Sequence, residues 1–193
     1  MSTVLVLVAL TVAAWAHGGD GGDPNRPRAA TVAGDPRLPW AAEPSYELVE
    51  PVGTLSVRLS GPPSVIEEAG VLGRVDLDVV EPVTKQIAAL VSTEGELVRG
   101  AWLFTVFQAE DPTGLLDDIV SLYEEVGYQA VPAQEGVVAL AFAPEEGPVT
   151  YRGHYVSGRG VVRVEAFGPD GDAAEAAFHE LLAAQLRDLP VTS

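Results

Sequence analysis

Three arginines stand close together near the C-terminal end of this sequence: Arg152, Arg159 and Arg163. A guanidinium presents several N–H donors in a fixed planar fork. Two such groups facing one space are a recognised way to hold a carboxylate or a phosphate. They are the candidate ligand-binding residues, for a small anionic ligand. The competing arrangement is pairing with acids on neighbouring strands. The histidines are His17, His154 and His179. Cleavage after Ala16 would make His17 the terminal residue, able to chelate copper through its amine and ring nitrogen, with His154 or His179 as the second imidazole. His17 and His154 are therefore the candidate metal ligands, although Gly18-Gly19-Asp20-Gly21-Gly22 makes His17 the end of a flexible segment.

Catalytic motifs are missing. There is no Gly-x-Ser-x-Gly elbow, no phosphate-cradling Walker loop, no Gly-x-Gly-x-x-Gly and no His-Glu-x-x-His. No cysteine is present, which removes thiol nucleophiles, disulfides and zinc–thiolate sites. The acidic pairs Glu67-Glu68, Asp117-Asp118, Glu124-Glu125 and Glu145-Glu146 are adjacent residues, whose side chains point in different directions. They read as solvated faces. No cofactor is implied, and no catalytic residue is assigned. The reading that follows is a non-enzymatic binding or accessory module. The alternatives are a hydrolase with dispersed catalytic carboxylates and a copper-binding protein using His17.

Charge narrows the partners further. The 193 residues carry 28 acidic against 11 basic groups, a net charge of −17. Such a surface repels phosphate backbones, so no nucleic-acid partner is expected. The expected partners are an envelope protein or a small anionic ligand.

Val4–Ala16 is apolar except for Thr11 and is followed by Gly and Pro. Thirteen residues make a helix of ~20 Å, short of a ~30 Å hydrocarbon core. Ala14-Trp15-Ala16 matches the small-x-small cleavage rule. Residues 1–16 are thus expected to be a signal peptide or an N-terminal membrane segment. No Lys or Arg precedes the run, and a start further upstream would lengthen it into an anchor. Either way the rest is placed outside the cytoplasm, as a secreted or membrane-anchored protein. Residues 17–44 form a Gly/Pro-rich linker, and 45–190 a single domain.

The elements that must position the arginines follow from periodicity. Thr54–Ser60 alternates as a strand, and Ser64–Ala69 makes one or two helical turns. Val75, Leu77 and Val79 alternate with Arg74, Asp76 and Asp78, which predicts a second strand. Val83, Ile87, Leu90 and Val91 predict a short helix beginning near Pro82. Leu97–Phe107 is apolar on both faces, as in a central strand. Asp111-Pro112 opens a long helix ended by Gly127. Tyr128–Val131 and Val137–Phe142 are strands. Tyr151–Phe167 is a hairpin turning at Ser157-Gly158-Arg159-Gly160, and Phe167 and Val161 share a face with Arg163 and Glu165, so that face is not fully wet. Asp172 is expected to cap a closing helix, with Glu175 as its reciprocal acid and Phe178, Leu181, Leu182, Leu186 and Leu189 as its stripe. The predicted class is α+β: a mainly antiparallel sheet of about six or seven strands packed by two long helices and one short helix.

The export segment, linker and α+β domain ending in hairpin plus helix resemble the small exported proteins of the Mog1/PsbP-like group. The resemblance covers roughly Ser45–Pro190. It rests on element order and on the Tyr151–Phe167 hairpin followed by Phe178–Pro190, with no signature motif. It implies an accessory or binding domain, since the group is not uniformly enzymatic, and it assigns no functional residue.

Overall fold

The computed structural model describes residues 48–192. Its frame is one seven-stranded sheet in the order β1-β2-β3-β7-β6-β5-β4, with every neighbouring pair antiparallel. The strands are β1 (Thr54–Gly61), β2 (Thr84–Glu94), β3 (Leu97–Val106), β4 (Gln129–Val131), β5 (Val138–Phe142), β6 (Val149–Ser157) and β7 (Gly160–Gly168). Four helices join them: α1 (Pro63–Ala69), α2 (Arg74–Val80), α3 (Pro112–Glu125) and α4 (Gly171–Asp188). The class is therefore mixed α and β on an antiparallel sheet, with two long helices and two short ones rather than one.

Two expectations exchange places. Arg74–Val80 is helix α2, not a strand, and Thr84–Glu94 is strand β2, not a helix. Seven residues are too few to separate the two periods. In α2 the buried residues are Leu77 and Val80, one helical step of three apart, and Val75 is exposed. In β2 every residue from Ile87 to Ser92 is buried, because β2 lies inside the sheet with both faces covered. Burial on both sides erases the alternation of a strand and leaves a run that also fits a helix.

Each face of the sheet has its own core. On one, Trp102, Phe104, Val91 and Val161 pack against Ile66 of α1, Leu77 and Val80 of α2, and Leu115, Ile119 and Tyr123 of α3. On the other, Leu103, Tyr155, Val162 and Val164 pack against Phe178, Leu181 and Leu182 of α4. The α4 stripe is docked as its spacing predicts. Its cap is Asp170 rather than Asp172: Asp170 accepts hydrogen bonds from the backbone N–H of Asp172 at 3.1 Å and of Ala173 at 3.2 Å. Gly171 starts the helix two residues earlier than the Asp172–Glu175 pairing requires.

Near the other end of α4, Gln185 is fully buried and holds the backbone of Val49 at both ends of its amide. Its Oε1 accepts from Val49 N–H at 3.0 Å, and its Nε2 donates to Val49 C=O at 2.7 Å. Gln185 thus ties the start of the described chain to the closing helix, and Leu48 packs against the same core. The signal-peptide and linker assignments for residues 1–44, and His17 with them, lie outside the described residues. No helix among the described residues is long and apolar enough to cross a membrane.

Candidate functional site

The hairpin β6–β7 turns through Gly158, whose φ of +56° is open to glycine at little cost. This turn pairs Ser157 with Gly160 and so places Arg152 opposite Glu165 and His154 opposite Arg163. All four side chains stand on the sheet face covered by α2 and α3. Arg163, Glu165 and His154 are buried there.

Arg152 donates from Nε to Glu165 Oε2 at 2.8 Å, a cross-strand ion pair with both side chains largely out of solvent. Arg163 donates from Nη1 to Asp76 Oδ1 of α2 at 3.0 Å and to the Tyr123 hydroxyl of α3 at 2.8 Å. The Tyr123 hydroxyl in turn donates to Asp76 Oδ1. Sheet and two helices are thus joined through one polar triangle. The guanidiniums also lie over aromatic rings. Arg163 Cζ is 4.3 Å from the centre of Trp102, and Arg152 Cζ is 4.3 Å from that of Tyr123 and 5.1 Å from that of Tyr128. Such stacking favours a planar cation over an ammonium.

Gly100 makes room for Trp102. A Cβ on Gly100 would sit 2.0 Å from Trp102 Cη2, so the indole lies directly over the glycine backbone, while Arg163 lies against the same indole from the paired strand.

These groups border a cavity of about 230 Å³ between the sheet and the corner joining α1 to α2. Its apolar wall includes Val71, Leu72, Val75, Val98, Leu122 and Val126. Its polar floor comprises Arg152, Arg163, Glu165 and Asp76, and Arg74 stands at the rim, exposed and engaged by Glu67 and Asp78. Among the described residues, Arg163 Nε has no hydrogen-bond partner although sealed from solvent. The terminal nitrogens of Arg152 and Nη2 of Arg163 also have no protein acceptor among the described residues, and they are not sealed off. Donors are left over at the cavity.

Electrostatics holds these groups in one protonation state. Burial opposes the charge of Arg152, and the Tyr123, Tyr128 and Glu165 oxygens beside it outweigh that cost, so its pKa stands well above the ordinary guanidinium value. Arg163 behaves likewise, with Tyr123, Glu165 and Asp76 as its neighbours. Burial pushes the Tyr123 phenol far above its usual range, so it remains a neutral donor. Burial, then the charges of Arg163 and Arg152, drive the His154 pKa well below its usual value. His154 is therefore a neutral ring at physiological pH, stacked on Tyr123 at 5.4 Å between centres, with neither nitrogen hydrogen-bonded among the described residues.

The three candidate arginines do not form one cluster. Arg152 and Arg163 share the cavity; Arg159 does not line it, and its Nη2 donates to the backbone carbonyls of Phe107 at 2.5 Å and Glu110 at 3.3 Å. The acids pair with the arginines as the competing arrangement has it, yet that pairing leaves the donors named above unused. His179 sits on the exposed side of α4, 3.8 Å from Glu175. No group of three or more His, Asp or Glu among the described residues is placed to hold a metal ion. The acidic pairs Glu67-Glu68, Asp117-Asp118, Glu124-Glu125 and Glu145-Glu146 are all exposed.

Asp76, Trp102, Tyr123 and Tyr128 belong to the site without having been singled out as candidates. In a strand Asp76 would alternate outward with Arg74 and Asp78, and Trp102 reads as part of a central strand that is apolar on both faces. The signal that was available is the clustering of Phe167 and Val161 with Arg163 and Glu165 on one face: a charged pair among apolar neighbours must be covered and paired. Comparison with protein-family models, with curated proteins and with solved structures returns no match for this chain.

Proposed function

We propose that this chain is an exported, envelope-associated binding module that holds a small ligand in the cavity beneath α2 and α3, with Arg152 and Arg163 as the recognising groups. The observation that carries the reading is a pair of guanidiniums, Arg163 buried and Arg152 largely covered, fixed by ion pairs and aromatic faces, with donors left free beside an apolar wall. A cavity with apolar walls and a few convergent polar groups is the usual form of a small-molecule site. Arginines serving only structure would be expected to spend their donors on the protein. The resemblance to Mog1/PsbP-like domains supports the same accessory role. Export rests on the N-terminal apolar run and the Gly/Pro-rich linker.

The hydrolase reading needs two carboxylates free to exchange protons with a substrate. Asp76 and Glu165 both border the cavity, but each is engaged by a guanidinium. A general acid is normally held away from positive charge.

Native mass spectrometry of the full chain, purified from the envelope fraction of its own cells, tests the proposal. A non-covalent small molecule is expected on the wild type and is lost from the Arg152→Met and Arg163→Met variants. It is recovered chemically unchanged after prolonged incubation. Wild type and both variants carrying the same species, or none, would overturn the binding reading; conversion of the bound molecule would replace it by the hydrolase. For export, residues 1–44 are fused to a reporter active only outside the cytoplasm, and a signal from the cytoplasm overturns the localisation.

A further inference from the structure

We infer that the ligand is a compact molecule with a single carboxylate, and that Glu165 and Asp76 make the site reject doubly charged groups such as phosphate monoesters. This inference rests on the binding reading above. It begins from the charges on the cavity floor. Two guanidiniums, Arg152 and Arg163, face two carboxylates, Glu165 and Asp76, and the sum is zero. The next positive group, Arg74, is exposed at the rim and already engaged by Glu67 and Asp78. A singly charged ligand leaves the floor at minus one, and a dianion at minus two.

In a half-buried site of low effective dielectric, the second negative charge meets both carboxylates within a few ångströms and is screened little. Sites built for phosphate generally supply surplus positive charge or a row of backbone N–H groups. This cavity has no surplus positive charge on its floor, and the helix whose first turn borders it is a short one. Its bordering helices α1 and α2 are seven residues each, and the residues between them, Gly70–Gly73, line the cavity mainly with apolar side chains.

The free donors, three terminal nitrogens, are enough for both oxygens of a carboxylate. Arg152 spends Nε on Glu165 and keeps its terminal nitrogens; Arg163 spends Nη1 on Asp76 and Tyr123 and keeps Nη2. Two oxygens of one planar group can be met by these nitrogens, and a phosphate monoester differs at this floor by its second negative charge. Glu165 sits between the two cations, 2.8 Å from Arg152 Nε and 3.8 Å from Arg163 Nε, and so withdraws part of the positive field of both.

The volume limits the remainder of the ligand. About 230 Å³ is below the range of roughly 300–1,000 Å³ of sites for drug-sized molecules. The wall opposite the arginines is Val71, Leu72, Val75, Leu122 and Val126, so the body of the ligand is apolar and small.

Calorimetric titration of the full chain with phenylacetate, phenyl phosphate and phenylacetamide separates the possibilities, with the Trp102 indole resonance reporting on the cavity. The measurement is made at about pH 7.5, where a phosphate monoester with a second pKa near 6 is mostly doubly charged. Phenylacetate is expected to bind at least about ten-fold more tightly than either analogue, the size of effect that one unfavourable charge or one lost charge-assisted pair produces. Glu165→Gln and Asp76→Asn should each raise the affinity for phenyl phosphate by about ten-fold and that for phenylacetate by less. Both variants are checked for cooperative unfolding first, and either one that folds suffices. Phenyl phosphate binding as tightly as phenylacetate, or unmoved in the variants, overturns the inference and leaves the binding reading standing. Phenylacetamide equal to phenylacetate does the same by removing the anion. No binding of any probe overturns both.

Discussion

Arg163 and Asp76 lie 87 residues apart in sequence, and their side chains meet at 3.0 Å, joining the centre of the sheet to helix α2. Arg163 is almost wholly buried, so its charge has no recourse to water. Removing one partner of a buried pair leaves an uncompensated charge, whereas replacing both by apolar groups can be nearly neutral.

Asp76→Ala is accordingly expected to destabilise the domain by about 2–4 kcal/mol, with the Tyr123 hydroxyl still bonded to Arg163. The double variant Asp76→Ala/Arg163→Met should cost less than the sum of the single changes by ~1–3 kcal/mol. Urea denaturation of the four proteins gives this coupling, and strict additivity would show that the pair acts only through packing.

Gly100→Ala should act through Trp102. The new methyl would overlap the indole, whose atoms Cη2 and Cζ3 come within 2.0 and 2.3 Å of the ideal Cβ position, so the ring must move and Arg163 loses the face on which it lies. The expected cost is roughly 2–3 kcal/mol, at the upper end of ordinary overpacking. A changed near-ultraviolet dichroism and lost ligand binding should accompany it. A variant with wild-type melting and an unchanged indole environment would contradict the account of Gly100.

His154 gives the pH dependence its direction. Its pKa in the folded state is held well below that of the unfolded chain, near 6.5, by burial and by Arg163 and Arg152. Below about 6.5 the unfolded chain therefore binds the proton that the folded chain refuses, and stability is lost as pH falls, at up to ~1.4 kcal/mol per unit for one group. Above it the contribution is complete. His154→Phe keeps a ring stacked on Tyr123 and removes two nitrogens that have no partner among the described residues. Between pH 7.5 and 5 the wild type should lose about 1–2 kcal/mol more than the variant. Parallel pH profiles for the two proteins would refute the assignment.

The helix cap supplies a local test. Asp170→Ala removes the acceptor for two backbone N–H groups at the start of α4 and should cost about 1 kcal/mol, within the usual range of roughly 0.5–2. Asp172→Ala and Glu175→Ala should cost no more than a few tenths. Thermal melts rank the three, and Glu175→Ala as the most damaging would restore a reciprocal cap at Asp172.

Much of the arginine site is written into local sequence. The turn at Gly158-Arg159 fixes the register of β6 against β7, and register alone puts Arg152 across from Glu165. The stripe of Phe178, Leu181 and Leu182 likewise determines that α4 docks by that face, because a helix of that length shows its period over several turns. Only the tertiary structure decided that Asp76 reaches Arg163, that Tyr123 closes the triangle, and that Arg159 points elsewhere. It also decided that Arg74–Val80 coils while Thr84–Glu94 extends. The reason is common to all of these. Periodicity records how many faces of an element are buried and not what buries them, and for β2 and α2 that covering comes from distant parts of the chain.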